Sequence, residues 1–399
     1  MDFISLAFHF SVSVYRSFLL PIKSFLVRRK EKIYVGFVLS DLGKWKTELL
    51  FQKMLEHRRF TPVVLVVPYL NNDNSGLNQL IKYLSEKSYS FYVYDNERKF
   101  SDDINLDIIF YQEPYGGIIN ERYEYKHNLS SLFCYVPYAF HTIDSKWSLN
   151  TPLLNFAWQV FFENSLVLKN VSCFMTNGGK NCKVTGLPFT DLFSEQSFID
   201  KNPWKYQTKP KKKIIWAPHH TILSETLICY STFLMYCDAM FSLALKYKDK
   251  IQMAFKPHPV LLTKLYNVWG KEKTDNYYYL WERGENTQLV LGDYVPLFIH
   301  SDALIHDCGS FTIEYHYTKK PVMYLLKDDN HSEELNEFGK MAFDLHYKGR
   351  NFDDIESFIK DVIAEIDPMK KEREKFYNDC LLAPEGNSAS DNIINAILG

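Results

Sequence analysis

The chain alternates short apolar runs with amphipathic stretches, the pattern of strands buried on both faces and of the helices that cover them. Lys32–Leu39 (KIYVGFVL) reads as a first buried strand, Trp45–His57 as a helix and Pro62–Val67 as a second strand, so the fold opens on a βαβ unit. A helix over Leu77–Glu86 and strands at Phe91–Tyr94, Ile108–Tyr111 and Leu132–Val136 follow, with Phe174–Thr176 and Lys183–Val184 also read as strands. A second series begins at Ile214–Ala217. It continues through a long helix (Leu227–Tyr247), strands at Ile251–Phe255 and Gln288–Leu291, and a short helix from Pro296 to His300. Ala303–Ile305 is then a strand and His306–Ser310 a polar turn. Ser310 is placed to cap a helix over Phe311–Thr318, which Pro321 stops before the strand Val322–Leu326. Helices near Phe352–Ile366 and Met369–Cys380 end the pattern.

The pattern predicts an α/β protein of two doubly wound domains. Between the two series lies KNPWKYQTKPKKK (201–213), basic, proline-containing and without period, as expected of a linker. A length of 399 residues suits two domains of ordinary size. The expected divisions are 31–200, the linker 201–213, 214–380 and a tail 381–399. Residues 1–30 form a separate segment, apolar and aromatic but interrupted by Arg16 and Lys23 and followed by Arg28-Arg29-Lys30. Its charge comes last and it shows no small-residue cleavage pattern, unlike a signal peptide. Arg16 breaks the uncharged run that a transmembrane helix needs. An interfacial helix fits, with Arg16 and Lys23 snorkelling and the basic cluster drawn to anionic lipid at the cytoplasmic face of the membrane. A helix packed on the protein's own surface is the plain alternative.

Composition narrows the function. A formal net charge of −2 argues against a general nucleic-acid binder. The seven cysteines are scattered and form no CxxC pair, which fits a reducing compartment better than a disulfide framework or a zinc site. No carboxylate cluster at metal-ligand spacing occurs, so neither a metal nor a cofactor is expected.

The candidate chemistry sits in loops that follow strands, the edge where open α/β sheets bind ligands. His141 follows Leu132–Val136 and is a candidate general base, or a loop histidine with no duty. His219 and His220 follow Ile214–Ala217, and Lys256 and His258 follow Ile251–Phe255 in a loop stiffened by Pro257 and Pro259. The turn at Asp307, Gly309 and Ser310, with Phe311 and Thr312 beyond it, puts backbone N–H groups at a helix start, where anions bind. Glu314 lies one helical turn on, placed to accept hydrogen bonds from a ribose. An ordinary capped helix is the other reading of that turn.

Five blocks occur in one order: VPYAFHT (136–142), VTGLPFTD (184–191), IIWAPHHT (214–221), FKPHP (255–259) and SDALIHDCGSFTIEYHYTKKPVMYL (301–325). Together they resemble the CDP-glycerol glycerophosphotransferase family of teichoic-acid and capsule enzymes. In the last block Cys308-Gly309 stands where the family has Tyr-Ser, and Glu314 where it has Asp. The resemblance implies a GT-B-like fold, two Rossmann-like domains facing a cleft. It further implies a C-terminal domain binding CDP-glycerol, or a similar CDP-polyol, through Lys256, Asp307, Gly309, Ser310, Phe311, Thr312, Glu314, His219 and His220. His141 and His258 are the expected catalytic residues. The acceptor would be a lipid-linked or polymeric glycan held by the N-terminal domain. A GT-B glycosyltransferase using a nucleotide sugar needs the same Ser310 and Glu314, and a nucleotide-sugar epimerase shares the turn.

Overall fold

Ile33, Val35 and Phe37 have no exposed surface and Val38 and Leu39 little, because the strand they form is covered on both faces. In this computed structural model, which describes residues 3–70, 75–223, 230–327 and 333–399, that strand is the centre of the first of two α/β units. The first unit takes in Met1–Phe140, Ser145–Asp191 and Cys380–Gly399, and the second His141–Asp144 and Leu192–Asp379.

Among the described residues the first unit has a seven-stranded sheet. Its strands are β1 (Ile33–Leu39), β2 (Phe60–Val66), β3 (Phe91–Val93), β4 (Ile108–Tyr111), β5 (Leu132–Tyr135), β6 (Gln159–Phe162) and β7 (Cys182–Val184). The spatial order is β3-β2-β1-β4-β5-β6-β7, with every neighbour parallel. The second unit has six described strands: β8 (Lys212–Ala217), β9 (Ile251–Phe255), β10 (Thr287–Leu289), β11 (Ala303–His306), β12 (Val322–Leu325) and β13 (Tyr347–Gly349). They lie in the order β10-β9-β8-β11-β12-β13, again all parallel. Each sheet is therefore doubly wound. The order reverses between β1 and β4 in one and between β8 and β11 in the other, and ligands of such sheets bind at that reversal.

Five sequence readings change. Phe174–Thr176 is not a strand: Asn164 caps a helix over Ser165–Phe174 by accepting from the Val167 N–H at 2.9 Å, and Met175 closes its end. The strand beside β5 is β6, which the sequence reading passed over. The expected linker 201–213 lies on the second unit, where Trp204 is buried and the Lys205 N–H donates to Gln288. The long helix expected from Leu227 is described as Phe233–Lys246, and 227–229 fall outside the described residues. The expected tail carries a helix, Ala389–Leu398, whose Ile393, Ile394 and Ile397 share the core of β1. Asp191 accepts from the Ala389 and Ser390 N–H groups, and Lys53 pairs with Asp391 at 2.5 Å.

The N-terminal segment is helical from Phe3 to Arg28, with a π turn at Tyr15–Leu19, and Phe10–Arg28 is long and apolar enough to cross a membrane by length and composition. One face packs on the first unit through Val12, Tyr15, Leu20 and Val27. Tyr15 stacks on Phe133 at 6.5 Å. Arg16 and Lys23 do not snorkel outward. Arg16 donates to the Ala157 carbonyl and Lys23 to that of Leu129. The basic cluster is also engaged: Arg28 donates to the Ile397 and Ala396 carbonyls, Lys30 pairs with Asp107, and Lys32 donates to the Arg58 carbonyl. The opposite face shows a stripe of Phe10, Val14, Phe18, Ile22 and Phe25 to solvent, at spacings of three and four.

Candidate active site

The loops leaving β8, β9 and β11 meet around the reversal point of the second sheet. His219 and His220 follow β8 and His258 follows β9. Their rings pack together, with centroids 4.3 Å apart for His219 and His220, 4.2 Å for His220 and His258, and 5.3 Å for His219 and His258. The loops are tied to each other, since the His258 N–H donates to the Pro218 carbonyl at 3.1 Å. His219 and His258 are oriented through Nδ1, which contacts Thr221 Oγ1 at 2.9 Å in the first and accepts from the Val260 N–H at 3.2 Å in the second. His220 Nδ1 is buried without a hydrogen-bond partner.

The cluster sits in a positive field. Burial pushes His219 down to about 3 and His258 to about 4, reinforced by the neighbouring rings and by Lys264, and it lowers His220 as well. Lys256, only 7% exposed, is also lowered by burial. The three histidines offer ligand atoms within 4.8 Å of one another, a spacing a metal ion can bridge. Lys256 and Lys264 act against a cation there, so the arrangement suits an anion with several oxygens. Lys264 escaped the sequence reading. Its signal is position, because it lies in the opening turns of the helix Leu261–Trp269, where a cation opposes the helix dipole.

Asp307, at the end of β11, is fully buried. Its Oδ1 accepts from the His219 N–H at 2.5 Å, and its Oδ2 from the Thr232 N–H at 2.6 Å and the Thr232 hydroxyl at 2.8 Å. It is thus a strut that fixes the His219 loop rather than a group turned toward a ligand. Burial raises its pKa to about 6 even with those hydrogen bonds.

The turn after β11 differs from its sequence reading. Ser310 has helical dihedrals (φ −61°, ψ −39°) and makes no side-chain cap, and the helix is only Phe311–Glu314, followed by a 3₁₀ turn to Thr318. A helix that short carries little dipole. Thr312 is buried, its hydroxyl directed to the Cys308 carbonyl, and the Phe311 ring packs on Phe298 at 4.9 Å. Gly309 and Ser310 remain at the surface. A Cβ at Gly309 would meet no protein atom within 4 Å, so neither packing nor backbone conformation requires glycine there. Glu314 is buried beside the Tyr294 phenol, which hydrogen-bonds to it. His141 is seated by Asn336: the Asn336 side chain donates to the His141 carbonyl at 2.9 Å and its N–H to that of Thr142 at 2.8 Å.

Two doubly wound parallel sheets, with ligand-type loops at the reversal of the second, define a GT-B-like enzyme. Solved structures agree on the fold. The wall teichoic acid polymerase TagF is 13% identical, with a TM-score of 0.63 over 99% of this chain and 96% of that one. A TagF variant soaked with CDPG is 12% identical, with a TM-score of 0.61 over 100% and 98%. The UDP-GlcNAc 2-epimerase of Neisseria meningitidis bound to UDP-GlcNAc is 14% identical, with a TM-score of 0.56 over 92% and 99%. No curated protein sequence matches the chain. The family model for CDP-glycerol:poly(glycerophosphate) glycerophosphotransferase matches residues 167–399, and the chain belongs to that family. It is a glycerophosphotransferase-like enzyme.

Proposed function

We propose that the protein moves glycerol phosphate, or a related polyol phosphate, from a CDP-linked donor to a hydroxyl of a lipid-linked or polymeric glycan, releasing CMP. The observation that carries this reading is the histidine cluster with Lys256 and Lys264, a polydentate anion site at the sheet reversal of a chain in this family. The acceptor oxygen attacks the β-phosphorus and the hydroxyl proton passes to His141. The bond from that phosphorus to the bridging oxygen breaks, and CMP leaves with the electron pair. His258, Lys256, His219 and His220 stabilise charge on the diphosphate as it redistributes. Gly309 and Ser310 offer an open backbone to the donor, and Glu314 holds its ribose. The test is nucleotide release by the purified protein given CDP-glycerol or a panel of nucleotide sugars. Turnover confined to a nucleotide sugar would overturn the donor assignment.

Donor binding is expected to take up protons. The free histidines are held neutral at pH 7, with folded values near 3 and 4 for His219 and His258. A bound phosphate favours the charged ring and raises those values, so the complex holds more protons than the free protein. Affinity for CDP-glycerol therefore rises as pH falls through the raised values of the complex toward the free values near 3 and 4. Calorimetry in buffers of different ionisation enthalpy reads the proton count, and uptake of none would refute the role of the cluster.

The reading places the protein at the cytoplasmic face of the membrane, held by the Phe10–Phe25 stripe. Because Arg28, Lys30 and Lys32 are engaged by the protein, apolar insertion outweighs lipid-headgroup attraction. A Phe18→Glu/Phe25→Glu variant is expected to lose at least about tenfold in vesicle co-sedimentation. Wild-type binding should change little between about 0.1 and about 0.5 M salt. Equal sedimentation of the two proteins would remove the stripe as the anchor.

A further inference from the structure

The helix Glu337–Asp344 reaches the candidate site from both of its ends, and every contact lies within the second unit, which includes His141–Asp144. Its N-terminus is built around Asn336, only 8% exposed. The Asn336 Oδ1 caps the helix by accepting from the Gly339 N–H at 2.8 Å. The same side chain turns its Nδ2 the other way and donates to the His141 carbonyl at 2.9 Å, while the Asn336 N–H donates to the Thr142 carbonyl at 2.8 Å. Gly339 brings the helix closer still. A Cβ there would lie 2.6 Å from the Thr142 carbonyl oxygen, which is backbone and cannot swing aside. The backbone that carries His141 is thus clasped by the first turn of one helix.

The other end reaches the turn after β11 through buried histidines. The Ala342 carbonyl faces His346 Nδ1 at 2.9 Å and His316 Nε2 at 3.0 Å. A carbonyl only accepts, so both nitrogens carry hydrogen. Burial pushes His346 well below its ordinary value and holds it neutral, which leaves a lone pair on its Nε2. That nitrogen lies 3.2 Å from His306 Nε2 and accepts from it. With hydrogen fixed on Nε2, the Nδ1 of a neutral His306 ring is bare and accepts from the Cys308 N–H at 3.2 Å. The choice of tautomer matters because the Cys308 carbonyl oxygen lies 3.0 Å from the same Nδ1. A hydrogen on Nδ1 would bond that carbonyl instead and release the N–H at the start of the Cys308–Ser310 turn.

We propose that this helix is the spacer that sets the candidate base against the donor turn, with Asn336 positioning His141 and His346 positioning the Cys308–Ser310 turn by choosing the His306 tautomer. The roles of base and donor turn rest on the transferase reading above; the clasp and the tautomer do not. The two ends should fail differently. Asn336→Asp keeps the cap, since aspartate caps as well as asparagine, but sets an acceptor against the His141 carbonyl. It is expected to lower kcat for CMP release at least about tenfold, with KM for CDP-glycerol within about twofold and the melting curve unchanged. His346→Leu strands the His306 N–H and is expected to raise KM about tenfold, while His346→Gln, whose side-chain oxygen accepts, should recover most of the loss. Nitrogen NMR of the full chain carrying isotope-labelled histidine reads the same arrangement without turnover. Wild type should show hydrogen on Nδ1 of His346 and on Nε2 of His306, and the His141 ring signal should move in Asn336→Asp but not in His346→Gln. If His346→Leu does not fold, Asn336→Asp and the wild-type spectra still decide. Opposite tautomers, Asn336→Asp turnover within about threefold of wild type, or changes in kcat and KM that simply follow melting temperature in every variant would each overturn the proposal. The expected tautomers and a moved His141 signal, in a protein that turns over no CDP-linked donor, would support the placement while refuting the transferase reading.

Discussion

Replacing His258 by alanine is expected to lower CMP release from CDP-glycerol by about 10²–10³-fold, mostly in kcat. His258 is fixed from both sides, its N–H donating to Pro218 and its Nδ1 accepting from Val260, so its remaining ring nitrogen is pre-set rather than mobile. In the proposed reaction, charge on the bridging and terminal oxygens grows as CMP leaves, and a pre-set hydrogen-bond donor stabilises that charge more than it stabilises the bound CDP-linked substrate. Alanine also removes a ring that packs on both His219 and His220, so thermal unfolding must be measured beside turnover. Lys256→Ala should act in the same direction and add less than its full effect in the double variant, since both act on one charge. Turnover within about threefold of wild type, in a His258→Ala protein with unchanged unfolding, would remove the residue from the mechanism.

Asp307→Ala is expected to destabilise the second unit by about 4 kcal/mol, because two buried donors and one half-buried donor lose their acceptor at ~1–3 kcal/mol each. The donors are the His219 N–H, the Thr232 N–H and the Thr232 hydroxyl. Urea unfolding measures the loss, and a midpoint equal to wild type would show that the strut is not holding the loop. The pH dependence has a definite sign. A carboxyl whose folded value is raised to about 6 favours folding most below its unfolded value near 3.8, and that contribution declines as pH rises through about 6. The wild-type excess over Asp307→Ala should therefore be larger at pH 5 than at pH 8.

The strands around both sheet reversals were legible because buried parallel strands carry near-continuous apolar runs bounded by Gly, Pro and polar turns. KIYVGFVL and IQMAF are of that kind. The histidine loops were legible for a related reason: each follows such a strand directly. What the sequence could not carry was partnership across the chain. Asp307 has the same appearance whether it faces a ligand or a backbone N–H, and its partner Thr232 lies far away in sequence. Ser310 has the chemistry of a cap, yet the turn before it is wound tightly enough to leave it helical. Phe174–Thr176 is not a strand because three apolar or β-branched residues cannot outweigh an Asn cap ten residues earlier, which sets a helix that runs to Phe174 and is closed by Met175. The link from His346 to the Cys308 turn was invisible for the plainest reason. His306 and His346 come from separate elements, and a bond between two rings has no sequence pattern.

The helix Ala389–Leu398 has a consequence for how the chain is made. It supplies Ile393, Ile394 and Ile397 to the core around β1, and its last carbonyls accept from Arg28 at the foot of the N-terminal helix. A ribosome produces that piece after the rest of the first unit, with Leu192–Asp379 of the second unit in between. The nascent first unit therefore waits with an open flank, its aromatic N-terminal helix lacking the support of Arg28's partners, until Leu192–Asp379 has been made. The closing of that flank completes the core around β1.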